Sequence, residues 1–357
     1  MFSPQIRVLI IDDSAIARNT LSRILETDSE IEVVGTAPDA LIGFRKIAEC
    51  SPDVLTLDVE MPKMDGLTFL ERLMSTRPMP VVMVSAYTSE GSETALKALD
   101  LGALEIIEKP RIDVSSGLKE LALQITDKVK AAAQAKLKSP QQRFQRQHLR
   151  RSRTHLVHPE LKKISHSPSI IAIGASTGGT DGLREILSEL PTDLPGILIV
   201  QHMPKAFTPS FAKSLDRVSQ IDVKEAISGD RVRGGLAILA PGDQHLTLKR
   251  DLHGYFVELT DEPLVNRHRP SVDILFESIS KCAGGDALGI LLTGMGSDGA
   301  KGLLGMKQKG AWTIAQEENT CVVYGMPRVA VELGAPREIL TPSEIITRLQ
   351  LLSPKGG

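Results

Sequence analysis

Two sets of residues in this chain have the types and spacing for chemistry. The first is Asp12 and Asp13, Asp58, Ser85 and Lys109, each at or just beyond the end of a short apolar run. Three carboxylates brought together repel one another unless a cation neutralises them, and hard oxygen donors without an imidazole or thiolate suit Mg²⁺. A nearby lysine can pair with phosphoryl oxygens and a serine hydroxyl can donate to one of them. Any one of these acids alone would be read as a solvated or helix-capping loop residue. Agreement at several run ends favours a metal and phosphoryl site instead.

The second set begins at Gly174-Ala175-Ser176-Thr177-Gly178-Gly179, between an apolar run and a helix-like stretch. A serine on such a turn sits on exposed backbone that glycines allow a substrate to approach. The same turn can equally cradle a phosphate, and Ser176 or Thr177 can simply cap the helix. His202, in Gln201-His202-Met203-Pro204, can act as a base or as a hydrogen-bonded structural histidine. Asp298, in Thr293-Gly294-Met295-Gly296-Ser297-Asp298-Gly299, can orient that base, and backbone N–H groups near Met295 can hold an oxyanion. A rival reading takes Gly294-x-Gly296-x-x-Gly299 as a dinucleotide fingerprint with Glu317 or Glu318 as the ribose-binding acid. Asp298 would then set a negative charge inside a loop meant to meet a pyrophosphate.

The elements that must hold these residues are legible as apolar runs at Ile6–Ile11, Val33–Thr36, Val54–Leu57, Val81–Ser85 and Leu104–Ile107, each followed by polar or helix-like sequence. Such alternation predicts βαβ units and a parallel sheet, whose functional side chains gather at the strands' carboxyl ends. Leu21, Ile24 and Leu25 share one helical face, as a covering helix requires. A second series, Ile170–Ile173, Ile197–Val200, Leu236–Ala240, Gly289–Leu292 and Trp312–Ala315, predicts a second α/β domain. Leu246–Leu248 and Tyr255–Leu259 predict a hairpin added to its sheet. Between the two series, from Lys128 to Ser167, basic residues and glutamines abound and Pro140 interrupts, which reads as a solvated linker with some helix at its start. The expected division is 5–125, a basic linker over 126–167, and 168–352.

A chain of 357 residues with 41% hydrophobic content can fill two cores. Its net charge of −2 marks neither a nucleic-acid binder nor a membrane binder, and no helix-turn-helix pattern is present. Three cysteines without metal-ligand spacing suggest neither a disulfide framework nor zinc, which fits a reducing cytoplasm. No apolar run is long enough for membrane insertion, and the first residues lack a signal-peptide core.

The motifs Ile-Asp12-Asp13-Ser, Leu-Asp58-Val-Glu-Met61-Pro62, Val-Ser85-Ala86 and Lys109-Pro110 resemble the response-regulator receiver domain. That resemblance implies a five-stranded doubly wound fold in which Asp58 accepts a phosphoryl group from a histidine kinase. Mg²⁺ would be held by Asp12, Asp13, Asp58 and the Glu60 backbone carbonyl, with Ser85 and Lys109 reading the phosphorylated state. Three positions before the lysine, where the family usually has an aromatic switch residue, this chain has Ile106. Gly-Ala-Ser176-Thr-Gly-Gly, Gln-His202-Met-Pro, Arg269-Pro270-Ser271-Val272-Asp273, Gly-Met295-Gly-Ser-Asp298-Gly and Val-Val-Tyr324-Gly-Met326-Pro327 resemble the CheB methylesterase domain. That implies a Rossmann-like, mainly parallel C-terminal serine hydrolase with Ser176, His202 and Asp298 as triad, a Met295 backbone oxyanion donor and no cofactor for the ester chemistry. The implied substrates are methylated glutamates on the cytoplasmic helices of chemoreceptors, with methanol released and receptor glutamines also deamidated. The Arg269–Asp273 segment either contacts substrate or serves a loop ion pair through Arg269.

Overall fold

The computed structural model describes residues 4–86, 89–110, 118–136 and 168–353. The chain divides into two compact units, Met1–Thr154 and His155–Gly357.

In the first unit β1 (Ile6–Ile11), β2 (Ile31–Ala37), β3 (Val54–Asp58), β4 (Val81–Ser85) and β5 (Glu105–Glu108) form one parallel sheet in the order β2-β1-β3-β4-β5. Both faces are covered, so β1 from Val8 onward and all of β3 and β4 are buried, which is why they read as unbroken apolar runs. The connecting helices are α1 (Ala15–Leu25), α2 (Ala40–Cys50), α3 (Gly66–Thr76), α4 (Ser89–Leu101) and α5 (Leu118–Ala133). Ser14, Asp39 and Asp65 cap the first three, each accepting a hydrogen bond from a first-turn N–H. α1 buries Leu21, Ile24 and Leu25, the face its spacing predicted.

The boundary expected at residue 125 falls inside α5. The helix continues to Ala133 because Ile125, Val129 and Ala132 extend its buried face, and two of the basic residues assigned to the linker are tied into this unit. Lys128 Nζ lies 2.9 Å from Glu105 Oε2, and Lys130 Nζ lies 3.1 Å from Asp28 Oδ2. The expected linker over 137–167 lies outside the described residues.

The second unit is built on β6 (Ile170–Ala175), β7 (Gly196–Gln201), β8 (Asp222–Glu225), β9 (Leu236–Leu239), β12 (Ala287–Leu291), β13 (Trp312–Gln316) and β14 (Glu338–Leu340). They make a parallel sheet in the order β14-β13-β12-β6-β7-β9-β8. Its helices are α6 (Gly179–Leu187), α7 (Thr208–Asp216), α8 (Val272–Cys282), α9 (Ala300–Gln308), α10 (Met326–Glu332) and α11 (Pro342–Gln350). The hairpin β10 (His245–Asp251) and β11 (Gly254–Thr260) forms, but as a separate two-stranded antiparallel sheet rather than an addition to the main one. Its buried Leu246, Leu248 and Val257 join the core that α8 covers. Leu248 N–H donates to Ser278 Oγ at 2.9 Å, while β8 and β14 are the edge strands of the main sheet.

Candidate functional site

Both sheets reverse strand order at one point, and both sets of chemical residues stand there. In the first unit the order turns at β1, where β1 and β3 end side by side in Asp12, Asp13 and Asp58. One carboxylate oxygen from each of the three lies within 4.8 Å of the others. Lys109 Nζ is 2.9 Å from Asp12 Oδ2 and 2.8 Å from Asp58 Oδ2. Ser85 ends β4 one residue beyond Val84, the partner of Asp58, and its carbonyl accepts the Lys109 N–H at 2.8 Å. Strand register alone therefore brings Asp12, Asp58, Ser85 and Lys109 to one end of the sheet.

Burial and the Asp12 charge push the Asp58 carboxyl up from 3.8 to about 6, although the Lys109 hydrogen bond pulls the other way. For Lys109, burial favours the neutral amine, but bonds to Asp58 and Asp12 outweigh it and hold the ammonium above its ordinary value. One ammonium cannot neutralise three carboxylates, and the donors are hard oxygens, so the cluster fits a divalent cation such as Mg²⁺. A carboxyl raised in the fold contributes stability that is complete below its unfolded value of 3.8 and lost as pH rises through about 6. Without divalent cation, the chain is expected to lose on the order of 1 to 3 kcal/mol across this window, and Asp58→Asn to flatten the loss. Urea denaturation from pH 4 to 8 measures it; a wild-type profile that matches Asp58→Asn counts against the reading.

In the second unit the order turns at β6, between β7 on one side and β12 on the other. Ala175 pairs with Gln201 in the last register position of β6 and β7, so Ser176 and His202 leave neighbouring strand ends, and His202 N–H donates to the Ala175 carbonyl at 3.1 Å. The β12 loop closes on the same place. Ser176 N–H donates to Thr293 O at 3.0 Å, and a Cβ on Gly294 would lie 2.6 Å from the Ser176 Cβ, so only glycine lets the Met295 backbone follow so near. Ser176, His202 and Asp298 are all buried. His202 Nε2 is 2.9 Å from Asp298 Oδ2, whereas His202 Nδ1 is buried without a hydrogen-bond partner among the described residues. No direct bond joins Ser176 Oγ to His202 among the described contacts; what brings them together is the register of β6 and β7. The N-cap of α6 is Gly178, at φ 77°, with no side-chain cap, so capping is not what Ser176 and Thr177 do.

Asp298 sits at the N-terminus of α8. Its Oδ1 accepts from Asn266 Nδ2 and Ser271 Oγ, both at 2.7 Å, and from the Asp273 N–H at 3.3 Å, and its Oδ2 also accepts the Val272 N–H at 2.6 Å. Burial opposes its charge, but the His202 and Asn266 bonds overcome this and hold the carboxyl well below the ordinary range. Asp273 is the counterpart at α9: its Oδ1 accepts the Gly302 N–H at 2.7 Å, and burial pushes its carboxyl up. The start of α9, which a dinucleotide would need, is thus already supplied with the Asp273 carboxylate, which removes the physical basis of the fingerprint reading. Arg269 takes the ion-pair role, with Nη2 2.7 Å from Asp243 Oδ1.

Asn266 and His268 lie outside every motif of the sequence, and Ser271 belongs to one only as part of the Arg269–Asp273 segment. His268 stacks on His202 with ring centroids 3.8 Å apart and planes 20° apart. Asn266 has φ 50°, and asparagine tolerates that region better than most residues; Ser271 stands where an N-cap precedes the Val272 helix.

The family model described as CheB methylesterase matches residues 171–349, and that of the response regulator receiver domain matches 8–118. A curated relative from Geobacter metallireducens, protein-glutamate methylesterase/protein-glutamine glutaminase 1, is 49% identical over 349 residues, covering 98% of this chain and 96% of its own. One of the same name, numbered 2, from Pseudomonas aeruginosa is 48% identical, with 99% and 98% covered. Among solved structures, the Thermotoga maritima CheB methylesterase catalytic domain is similar at 39% identity and TM-score 0.51, over 52% of this chain and 99% of that one.

Proposed function

The chain belongs to the CheB methylesterase family, and from that premise we infer that Ser176, His202 and Asp298 do its chemistry, under the control of phosphorylation at Asp58. The protein is a chemotaxis response regulator with protein-glutamate methylesterase and protein-glutamine glutaminase activity. The observation that carries the assignment of roles is the buried His202 Nε2–Asp298 Oδ2 bond at 2.9 Å, beside the strand end that bears Ser176.

With its proton on Nε2, toward Asp298, the imidazole has a lone pair on Nδ1 for the Ser176 hydroxyl. Ser176 Oγ attacks the γ-glutamyl ester carbonyl while Nδ1 takes its proton, and Asp298 stabilises the imidazolium that forms. The Met295 backbone N–H, in the loop that closes on Ser176, receives the developing oxyanion. Methanol leaves with the proton from His202, and water then attacks the glutamyl-serine ester with the same histidine as base. A glutamine substrate follows the same path with ammonia as leaving group.

In the receiver, Asp12, Asp13, Asp58 and the Glu60 carbonyl are the group that would hold Mg²⁺, whose charge would offset theirs and that of an incoming phosphoryl group. Asp58 takes the phosphoryl group from the histidine kinase of the chemotaxis system, and Ser85 and Lys109 bind its oxygens. Cytoplasmic chemoreceptor helices and that kinase are the partners, and the cytoplasm is where this protein works. No helix among the described residues is long and apolar enough to cross a membrane.

Methanol release from methylated chemoreceptor is expected to rise about fivefold to 150-fold with acetyl phosphate, the span of ordinary allosteric coupling. Asp58→Asn and removal of divalent cation with EDTA should each erase the rise and leave basal release in place. A response that survives in Asp58→Asn would displace Asp58 as the acceptor.

A further inference from the structure

A tight turn over Val265–His268 adjoins the acid–base pair. Val265 and His268 exchange backbone hydrogen bonds, N to O distances being 3.1 and 2.9 Å, and the two residues between them, Asn266 and Arg267, have φ of 50° and 67°. That is the two-residue turn with both central residues left-handed, closed on itself by its own backbone. Its two ends reach different members of the pair. Asn266 Nδ2 donates to Asp298 Oδ1 at 2.7 Å and to Asp273 Oδ2 at 2.8 Å. The His268 ring lies over His202, with centroids 3.8 Å apart and 20° between the planes.

His202 has a particular need for such a neighbour. Its side chain makes one hydrogen bond among the described residues, through Nε2, and Nδ1 has no partner there. An imidazole held by its covalent bond at Cγ and by one hydrogen bond at Nε2 can still tilt about the line between these two atoms, and the tilt swings the ring atoms off that line out of plane. Nδ1 is one of those atoms, and it must meet the Ser176 hydroxyl. A flat ring stacked on one face blocks the motion and leaves both nitrogens accessible in the ring plane. Asp298 needs no equivalent help, since five donors fix it.

We propose that His268 is a positioning residue for His202, its ring face keeping Nδ1 aimed at Ser176, with the turn over Val265–His268 tying that stack to the Asn266 bond on Asp298. The proposal rests on His202 being the general base. His268 works through its face, and no proton passes through its own nitrogens.

The test is kcat and KM for methanol release from methylated chemoreceptor, using the full chain activated with acetyl phosphate, for His268→Ala, His268→Phe and His202→Ala. His268→Ala is expected to lower kcat about tenfold to a hundredfold, the effect of a misplaced reacting group, with KM changed less than about twofold. His268→Phe, which keeps a flat ring but no titrating nitrogen, should hold kcat within about threefold of wild type. Unchanged kcat in His268→Ala overturns the proposal, as does His268→Phe as slow as His268→Ala. So does a loss in His268→Ala that merely follows the unfolded fraction in a thermal melt. An active His202→Ala would instead remove the general-base reading beneath it. An inactive His202→Ala beside a wild-type rate in His268→Ala removes the positioning role alone.

Discussion

Replacing Ser176 by alanine is expected to cut methanol release from methylated chemoreceptor by at least about a thousandfold, because in the proposed triad the members act as a unit and the nucleophile has no substitute. The fold should not notice. Ser176 meets its neighbours through the backbone: its N–H donates to Thr293 O at 3.0 Å, and its carbonyl accepts from Gln201 Nε2 at 3.0 Å and from the Gly179 N–H at 2.7 Å. Alanine keeps all three, and no described hydrogen bond uses the hydroxyl. Ser176→Ala should therefore melt within about 2 °C of wild type, as substitutions that break no structural contact do. A serine-directed fluorophosphonate provides an independent readout, labelling wild type and not Ser176→Ala. Methanol release that persists in a folded Ser176→Ala would end the assignment, whatever becomes of the family membership.

How much of this could be read from the sequence depends on where each feature stores its signal. β1, β3, β4, β6 and β7 lie inside two-sided sheets, so burial writes them as continuous apolar runs that need no partner to be recognised. Two edge strands carry no such run. β8 is Asp-Val-Lys-Glu with only Val223 buried, and β14 is three residues long; each is a strand because a neighbour offers it a ladder. Lys128 and Lys130 read as linker charge because their partners Glu105 and Asp28 are distant in sequence. The spacing of Ile125, Val129 and Ala132 on one helical face was the better guide there.

The same division runs through the proposed active site. Ser176, His202 and Asp298 stand at strand ends and in glycine-bearing turns, positions whose chemistry is local and legible. Asn266, His268 and Ser271 belong to the segment between β11 and α8, and nothing in their own neighbourhood says what they touch. Their roles exist only once that segment has folded over the β7 and β12 ends and brought a turn and a helix N-terminus to the same carboxylate.

That shared carboxylate makes Asp298→Asn a costly conservative change, in two separable ways. Asparagine offers one acceptor oxygen and an NH₂ where five donors converge, namely His202 Nε2, Asn266 Nδ2, Ser271 Oγ and the backbone N–H groups of Val272 and Asp273. At least one buried donor then faces another donor, and the α8 N-terminus loses its negative charge. Breaking a buried charge network in this way costs about 3 to 5 kcal/mol, so the urea midpoint should fall well below that of wild type. The carboxyl is held below its ordinary value of 3.8, so its contribution is present above that pH and lost only as pH falls through the lowered value; the destabilisation should be full at neutral pH. The rate suffers for a different reason. An amide that donates to His202 Nε2 forces the proton onto Nδ1, removing the lone pair that the proposed mechanism offers to Ser176, and a wrong tautomer of this kind costs about 10⁴-fold in kcat. Scaling the rate by the fraction folded separates the two effects, and the catalytic one should dominate under conditions where the variant remains folded. A folded Asp298→Asn that hydrolyses at the wild-type rate would reduce Asp298 to a helix cap and leave His202 without its orienting partner.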